Sequence, residues 1–145
     1  MLCTSARAMQ VWGERVAPAI SYRTLVEGDD PRQVLLDIFR EDVDSGLFAT
    51  RSFWQGIDVS GESLSCLMSE RLPFAMPDAP VLKARAEVLG RERPGQSFSK
   101  LSLPHMVLEV RQGTGRLIRR ATDIGVIAIL AGRLSVKGYG HYVLR

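Results

Sequence analysis

The run Ile124-Gly125-Val126-Ile127-Ala128-Ile129-Leu130 limits what this chain can fold into more than any other stretch. It is apolar at successive positions, the pattern of a central parallel strand buried on both faces. Parallel strands cannot be joined by tight hairpins and need crossover connections, usually helical. The rest of the chain should therefore alternate between strands and helices.

It reads that way from the start. Leu2 to Ser5 forms the end of a buried strand passing into a helix at Ser5, with Ala8, Met9, Trp12 and Val16 as its apolar stripe and Pro18 as its stop. Residues 20–26 give a second strand. Asp30 as N-cap, Pro31 at the first helical position and Gln33 at the capping-box position then open a helix. Its stripe is Val34, Leu35, Ile38, Phe39 and Val43, and Ser45-Gly46 ends it. Residues 47–50 and 64–68 are short apolar strands. Residues 81–91 return to helix, with Val81, Leu82, Arg85, Val88 and Leu89 at helical spacing, until Arg93-Pro94-Gly95 breaks it. Residues 97–103 carry no clear pattern, and Pro104 opens a last long helix. The expected fold is α/β, with a mainly parallel sheet of about five or six strands and right-handed crossovers.

With 145 residues the chain has the size of one domain. A formal charge of +3 is too small to establish nucleic-acid binding unless the cations cluster. Cys3 and Cys66 lie far apart without C-x-x-C spacing, so they cannot alone hold zinc or an iron–sulfur cluster, and no metal site is expected in this chain. Arg7, Glu14 and Arg15 interrupt the first twenty residues, against a signal peptide of the usual kind. The longest apolar run is far too short to span a bilayer. The expected location is cytoplasmic, without a membrane partner.

The chemistry concentrates in Gln112-Gly113-Thr114-Gly115-Arg116-Leu117-Ile118-Arg119-Arg120. Met106, Val107, Val110, Leu117, Ile118 and Ala121 recur at helical spacing around it, so a helix is expected to run through the whole stretch. On such a helix Arg116 and Arg119 share a face, with Gln112 one turn earlier on the same side. Two mid-helix glycines cost about 1 kcal/mol each relative to alanine, which points to close approach of something to the backbone. Arginine presents a planar fork of donors that stays charged, suited to a phosphate whose charge redistributes during transfer. A solvated basic helix face is the plainer reading of the same residues. Residues 50–58, with Phe53-Trp54-Gln55-Gly56-Ile57-Asp58, fit neither regular element and follow a strand, where open α/β sheets bind ligands.

The pattern Q-x-x-G-R-x-x-R resembles the last conserved motif of superfamily 2 helicases in its DinG/XPD-like form. Residues 50–58 are similar to helicase motif V. Leu72-Pro73-Phe74 with the prolines that follow resembles a segment particular to the DinG/XPD-like branch. The resemblance runs from Thr4-Ser5 to Tyr139-Gly140 in the family's order. It implies a RecA-like three-layer domain, the second motor domain of an ATP-dependent DNA helicase.

In that family both arginines, here Arg116 and Arg119, reach the γ-phosphate of ATP bound by a partner domain. The resemblance also places Gln112, Gly115, Gly56 and Asp58 at the nucleotide, with Gln112 and Asp58 relaying closure. Thr4, Ser5 and Thr50 become contacts to the backbone of single-stranded DNA; for Ser5, helix cap and contact are compatible roles. Ala131 departs from the acidic residue usual there.

No G-x-x-x-x-G-K-[ST] loop and no D-E-x-H stretch occurs, so ATP and Mg are expected to be held mainly by a first RecA-like domain that this chain lacks. Residues 1–145 alone should not hydrolyse ATP. The alternative is a non-catalytic α/β module that binds nucleic acid or protein and retains helicase motifs.

Overall fold

Five strands, β1 (Leu2–Cys3), β2 (Arg23–Val26), β3 (Ser45–Thr50), β4 (Cys66–Ser69) and β5 (Val126–Ile129), form one sheet in the order β2-β3-β1-β4-β5. Every neighbouring pair is parallel. The computed structural model describes residues 1–54, 59, 62–75, 79–118 and 124–143. They divide into two compact units, the first containing residues 1–71 and 114–131, the second residues 72–113 and 132–145. The sheet belongs to the first.

Successive side chains of a strand point to opposite faces, and here they enter two different cores. Leu2, Leu25, Leu47 and Ala49 pack with Leu35, Leu36, Ile38 and Phe39 of α2 (Arg32–Glu41). Cys3, Val26 and Phe48 pack with Ala8, Met9, Trp12 and Val16 of α1 (Ala6–Val16). The two helices thus cover opposite faces. β3 is closed from both sides, with Leu47, Phe48 and Ala49 at 4%, 4% and 1% exposure. This is the α/β, RecA-like arrangement that the sequence predicts.

Local chemistry explains most element boundaries. Ser5 N-caps α1 as expected, its hydroxyl accepting from the Ala8 amide at 3.2 Å. The turn Ala17–Ala19 carries Pro18 and ends that helix. The start of α2 differs from expectation: Pro31 is the cap position and no side chain caps it, so Asp30 and Gln33 do not form a capping box. Gln33 instead donates to Asp37 one turn ahead at 2.8 Å. Leu36 replaces Val34 in the buried stripe, and Val34 and Val43 are exposed. The helix stops at Glu41, and Ser45-Gly46 already belongs to β3.

The run that suggested a central strand is also corrected. Its strand, β5, sits at the end of the sheet order with β4 as its neighbour, and Val126 is 62% exposed. Apolar composition made it a strand; the crossovers, not the composition, decided its rank in the sheet. β3 holds the doubly buried position.

In the second unit, α4 (Pro80–Glu92) begins on Pro80 and runs without a fully buried residue. The segment without a sequence pattern is a π-helical turn, Phe98–Ser102, leading directly into α5 (Leu103–Thr114). Two single-turn helices, α6 (Arg133–Val136) and α7 (Gly140–Val143), close the chain. No described helix is long and apolar enough to cross a membrane.

Candidate functional site

In a parallel sheet all strand C-termini lie on one edge, and the residues just beyond them have amides that the ladder no longer satisfies. Along the sheet order that edge carries Glu27 after β2, Thr50 ending β3, Thr4 after β1 and Glu70 after β4. The Glu27 and Glu70 amides still donate to the Phe48 and Leu2 carbonyls, whereas those of Thr50 and Thr4 go to side chains. Two carboxylates serve two of the inner strands, β3 and β1. Glu27 Oε2 accepts from the Thr50 amide at 2.6 Å. Glu70 Oε2 accepts from both the amide and the hydroxyl of Thr4, at 3.1 and 3.0 Å. Glu70 is only 8% exposed, and Arg71 Nε lies 3.5 Å from its other oxygen. A buried carboxylate needs such hydrogen-bond partners in place of its lost hydration.

This arrangement gives the three candidate hydroxyls different chemistry. The Thr4 proton is committed to Glu70, leaving its oxygen as an acceptor. Ser5 accepts from Ala8, which leaves its own proton free to donate outward from the first turn of α1. Thr50 Oγ1 is 2.8 Å from Ser52 Oγ, and either can donate. Thr4 and Ser5 are both exposed. Neither glutamate belongs to a motif that the sequence offers.

The stretch after Thr50 opens as a short helix, α3 (Arg51–Trp54), where the sequence indicated no regular element. Arg32, from the start of α2, holds it. Its Nη2 donates to the Phe53 carbonyl at 2.9 Å and its guanidinium lies 5.3 Å from the centroid of the Phe53 ring. Phe53 is buried in the core beneath. Gly56 and Asp58 lie outside the described residues.

The arginine stretch is not helical throughout. α5 ends at Thr114, and Gly115, Arg116 and Leu117 form a turn closed by a bond from the Leu117 amide to the Thr114 carbonyl at 3.0 Å. The glycines that would weaken a helix interior mark its end instead. Gln112 is an exposed residue of α5 in the second unit, and Arg116 is half-buried in the first. Their relation as successive turns of one helix face does not hold. Arg119 lies outside the described residues.

Leu117 anchors this turn. At 5% exposure it is part of the same core as Leu35, Leu47 and Phe53. A Cβ placed on Gly125 would lie 2.7–2.9 Å from three Leu117 side-chain atoms, so the hydrogen at position 125 makes room for the anchor.

Cys3 is buried and Cys66 exposed, both as free thiols. Burial pushes the Cys3 thiol above its ordinary range, partly offset by the nearby terminal amine, with the Glu70 charge adding a smaller upward push. It stays protonated, a packing residue rather than a ligand or nucleophile. Among the described residues no group of three His, Cys, Asp or Glu is placed to hold a metal ion.

Over its whole length, residues 1–145, the chain matches the helicase C-terminal domain family, and it belongs to that family. The protein of Mycobacterium tuberculosis called ATP-dependent helicase DinG is 39% identical over 142 residues, covering 98% of this chain and 21% of that protein. ATP-dependent DNA helicase YoaA of Escherichia coli is 41% identical over 140 residues, 97% of this chain and 22% of the relative. A Bacillus subtilis protein called 3'-5' exonuclease DinG is 40% identical over 119 residues, 82% of this chain and 13% of the relative. The chain thus spans about a fifth of the length of the two helicases.

Proposed function

We propose that this chain is the second motor lobe of an ATP-dependent DNA helicase, working on ATP and Mg held by a first RecA-like domain. The observation that carries the reading is the family match across residues 1–145 together with an arginine turn pinned to the sheet core through Leu117. Arg116 and Arg119 are the catalytic pair, set against the γ-phosphate as the lobes close. ATP supplies the driving free energy; this lobe supplies positive charge that stays ionised at any working pH. Gln112, Gly115, Gly56 and Asp58 are the nucleotide-side residues of the proposal. Mg is assigned, with the ATP, to the first domain.

Grip on single-stranded DNA falls to the opposite kind of group, neutral hydroxyls at the C-terminal edge of the sheet. Ser5 and Thr50 are the phosphate donors, and Thr4 holds the β1–α1 junction while its proton goes to Glu70. The first turn of α1 adds amides and a positive helix end, which favours phosphate oxygens.

Joined to a motor domain carrying a Walker loop, the chain should give ATPase activity stimulated by single-stranded DNA. Arg119→Ala and Arg116→Ala should each lower turnover by about 10³-fold or more while the fold persists by circular dichroism. Turnover unchanged by both substitutions would overturn the assignment in favour of a non-catalytic module.

A further inference from the structure

Within the second unit three rings from three segments converge: Phe74 from the connector after β4, Phe98 from the π-helical turn and Tyr139 from the turn before α7. Their centroids are 5.8, 5.7 and 6.1 Å apart, with interplanar angles from 32° to 83°. The rings border a cavity of about 1040 Å³, at the upper end of the size usual for ligand pockets. Leu82 of α4 continues its apolar wall, and the remaining border carries Arg133 and Lys137, both exposed. Among the described residues no acidic one lines it. Neither cation makes an ion pair among the described residues.

Exposed aromatic surface beside cations, with no carboxylate among the described lining residues, matches a ligand having a flat apolar part and an anion attached to it. Phe98 keeps 47% exposure although it contacts two other rings, so part of its ring stays accessible to a further planar group. The pocket is also built to hold its shape at Tyr139. A Cβ on the next residue, Gly140, would lie 2.0 Å from the Leu134 carbonyl oxygen, so glycine alone permits this close turn.

We infer that the Phe74–Phe98–Tyr139 pocket is a base-stacking site for single-stranded nucleic acid, with Arg133 and Lys137 holding the adjoining phosphates. The inference rests on the helicase reading above for the identity of the strand and adds a second point of grip, one that engages bases. Stacking is tolerant of sequence, since every base has a flat face. Arg133 and Lys137 fix the backbone by charge and carry no sequence information.

The test titrates the 145-residue chain with a short fluorescent oligo(dT) and with an abasic strand of equal length. The oligo(dT) should bind more tightly than the abasic strand. Tyr139→Ala should weaken oligo(dT) binding about tenfold, and Tyr139→Trp should restore it, which separates stacking from loss of fold. Arg133→Ala and Lys137→Ala should each lower the slope of log affinity against log salt by about 0.7. Equal binding of the two strands, or variants that bind like the parent chain, overturns the pocket and leaves the hydroxyl track standing. A parent chain that binds neither strand overturns both. Preference for an acidic, tyrosine-containing peptide over the oligonucleotide replaces the strand with a protein partner.

Discussion

Glu70 changes what Thr4 can do. Taken alone, a threonine after a strand offers its proton to any phosphate; here that proton and the backbone amide both go to one buried carboxylate. Glu70→Ala should destabilise the chain by about 1–3 kcal/mol, because it leaves two donors unsatisfied, whereas Glu70→Gln keeps an acceptor and should lose clearly less. Urea unfolding of both variants measures this, and equal losses would mean that the carboxylate's bonds to Thr4 matter little. Ser5 allows its two roles to be separated. Aspartate is as good an N-cap as serine, so Ser5→Asp should keep the stability of α1, while Ser5→Ala loses about 1 kcal/mol. The added negative charge should nevertheless weaken binding of single-stranded DNA, read by anisotropy. Undiminished binding by Ser5→Asp would remove Ser5 from the track.

At the scale of elements, the arginine turn is held by one side chain fitted against one glycine. Leu117→Ala should cost about 2–5 kcal/mol, the usual range for a buried leucine. Gly125→Ala should cost about 1–3 kcal/mol, because Leu117 has to move out of contact. The two changes remove the same contact, so the double variant should be more stable than the sum of the single losses implies. Strict additivity in denaturant melts would show that residues 117 and 125 do not meet. The same elements show why periodicity misled. Leu117 and Ile118 have helical spacing from Met106 and Val110, but the helix has already ended at Thr114, and Leu117 reaches the core from a turn. Two glycines in three residues were the local sign of that ending. In α2 the spacing succeeded for Leu35, Ile38 and Phe39, yet it chose Val34 over Leu36, an error of a fraction of a turn.

For the molecule as a whole, β5 leaves apolar surface open. Val126 is 62% exposed and Ile124 92%, with Ile127 and Leu130 also exposed, on a strand with one sheet neighbour. Apolar edge strands favour association between copies, so Val126→Lys should reduce self-association in sedimentation experiments and shift stability by no more than about 0.5 kcal/mol. Unaltered association would place the contact elsewhere.

The sequence by itself determined the five strand segments, the helices α1, α2, α4 and the body of α5, the serine cap of α1, the parallel α/β class and the family, because these follow from local pattern and from motifs in order. The tertiary structure alone decided that β3 and not β5 lies covered on both faces, that Glu27 and Glu70 bind the ends of the inner strands, and that Phe74, Phe98 and Tyr139 share one pocket. Those features join residues from 23 to 66 positions apart, and no periodicity reaches across such distances. The carboxylate bonds exist only once the crossovers have set the strand order.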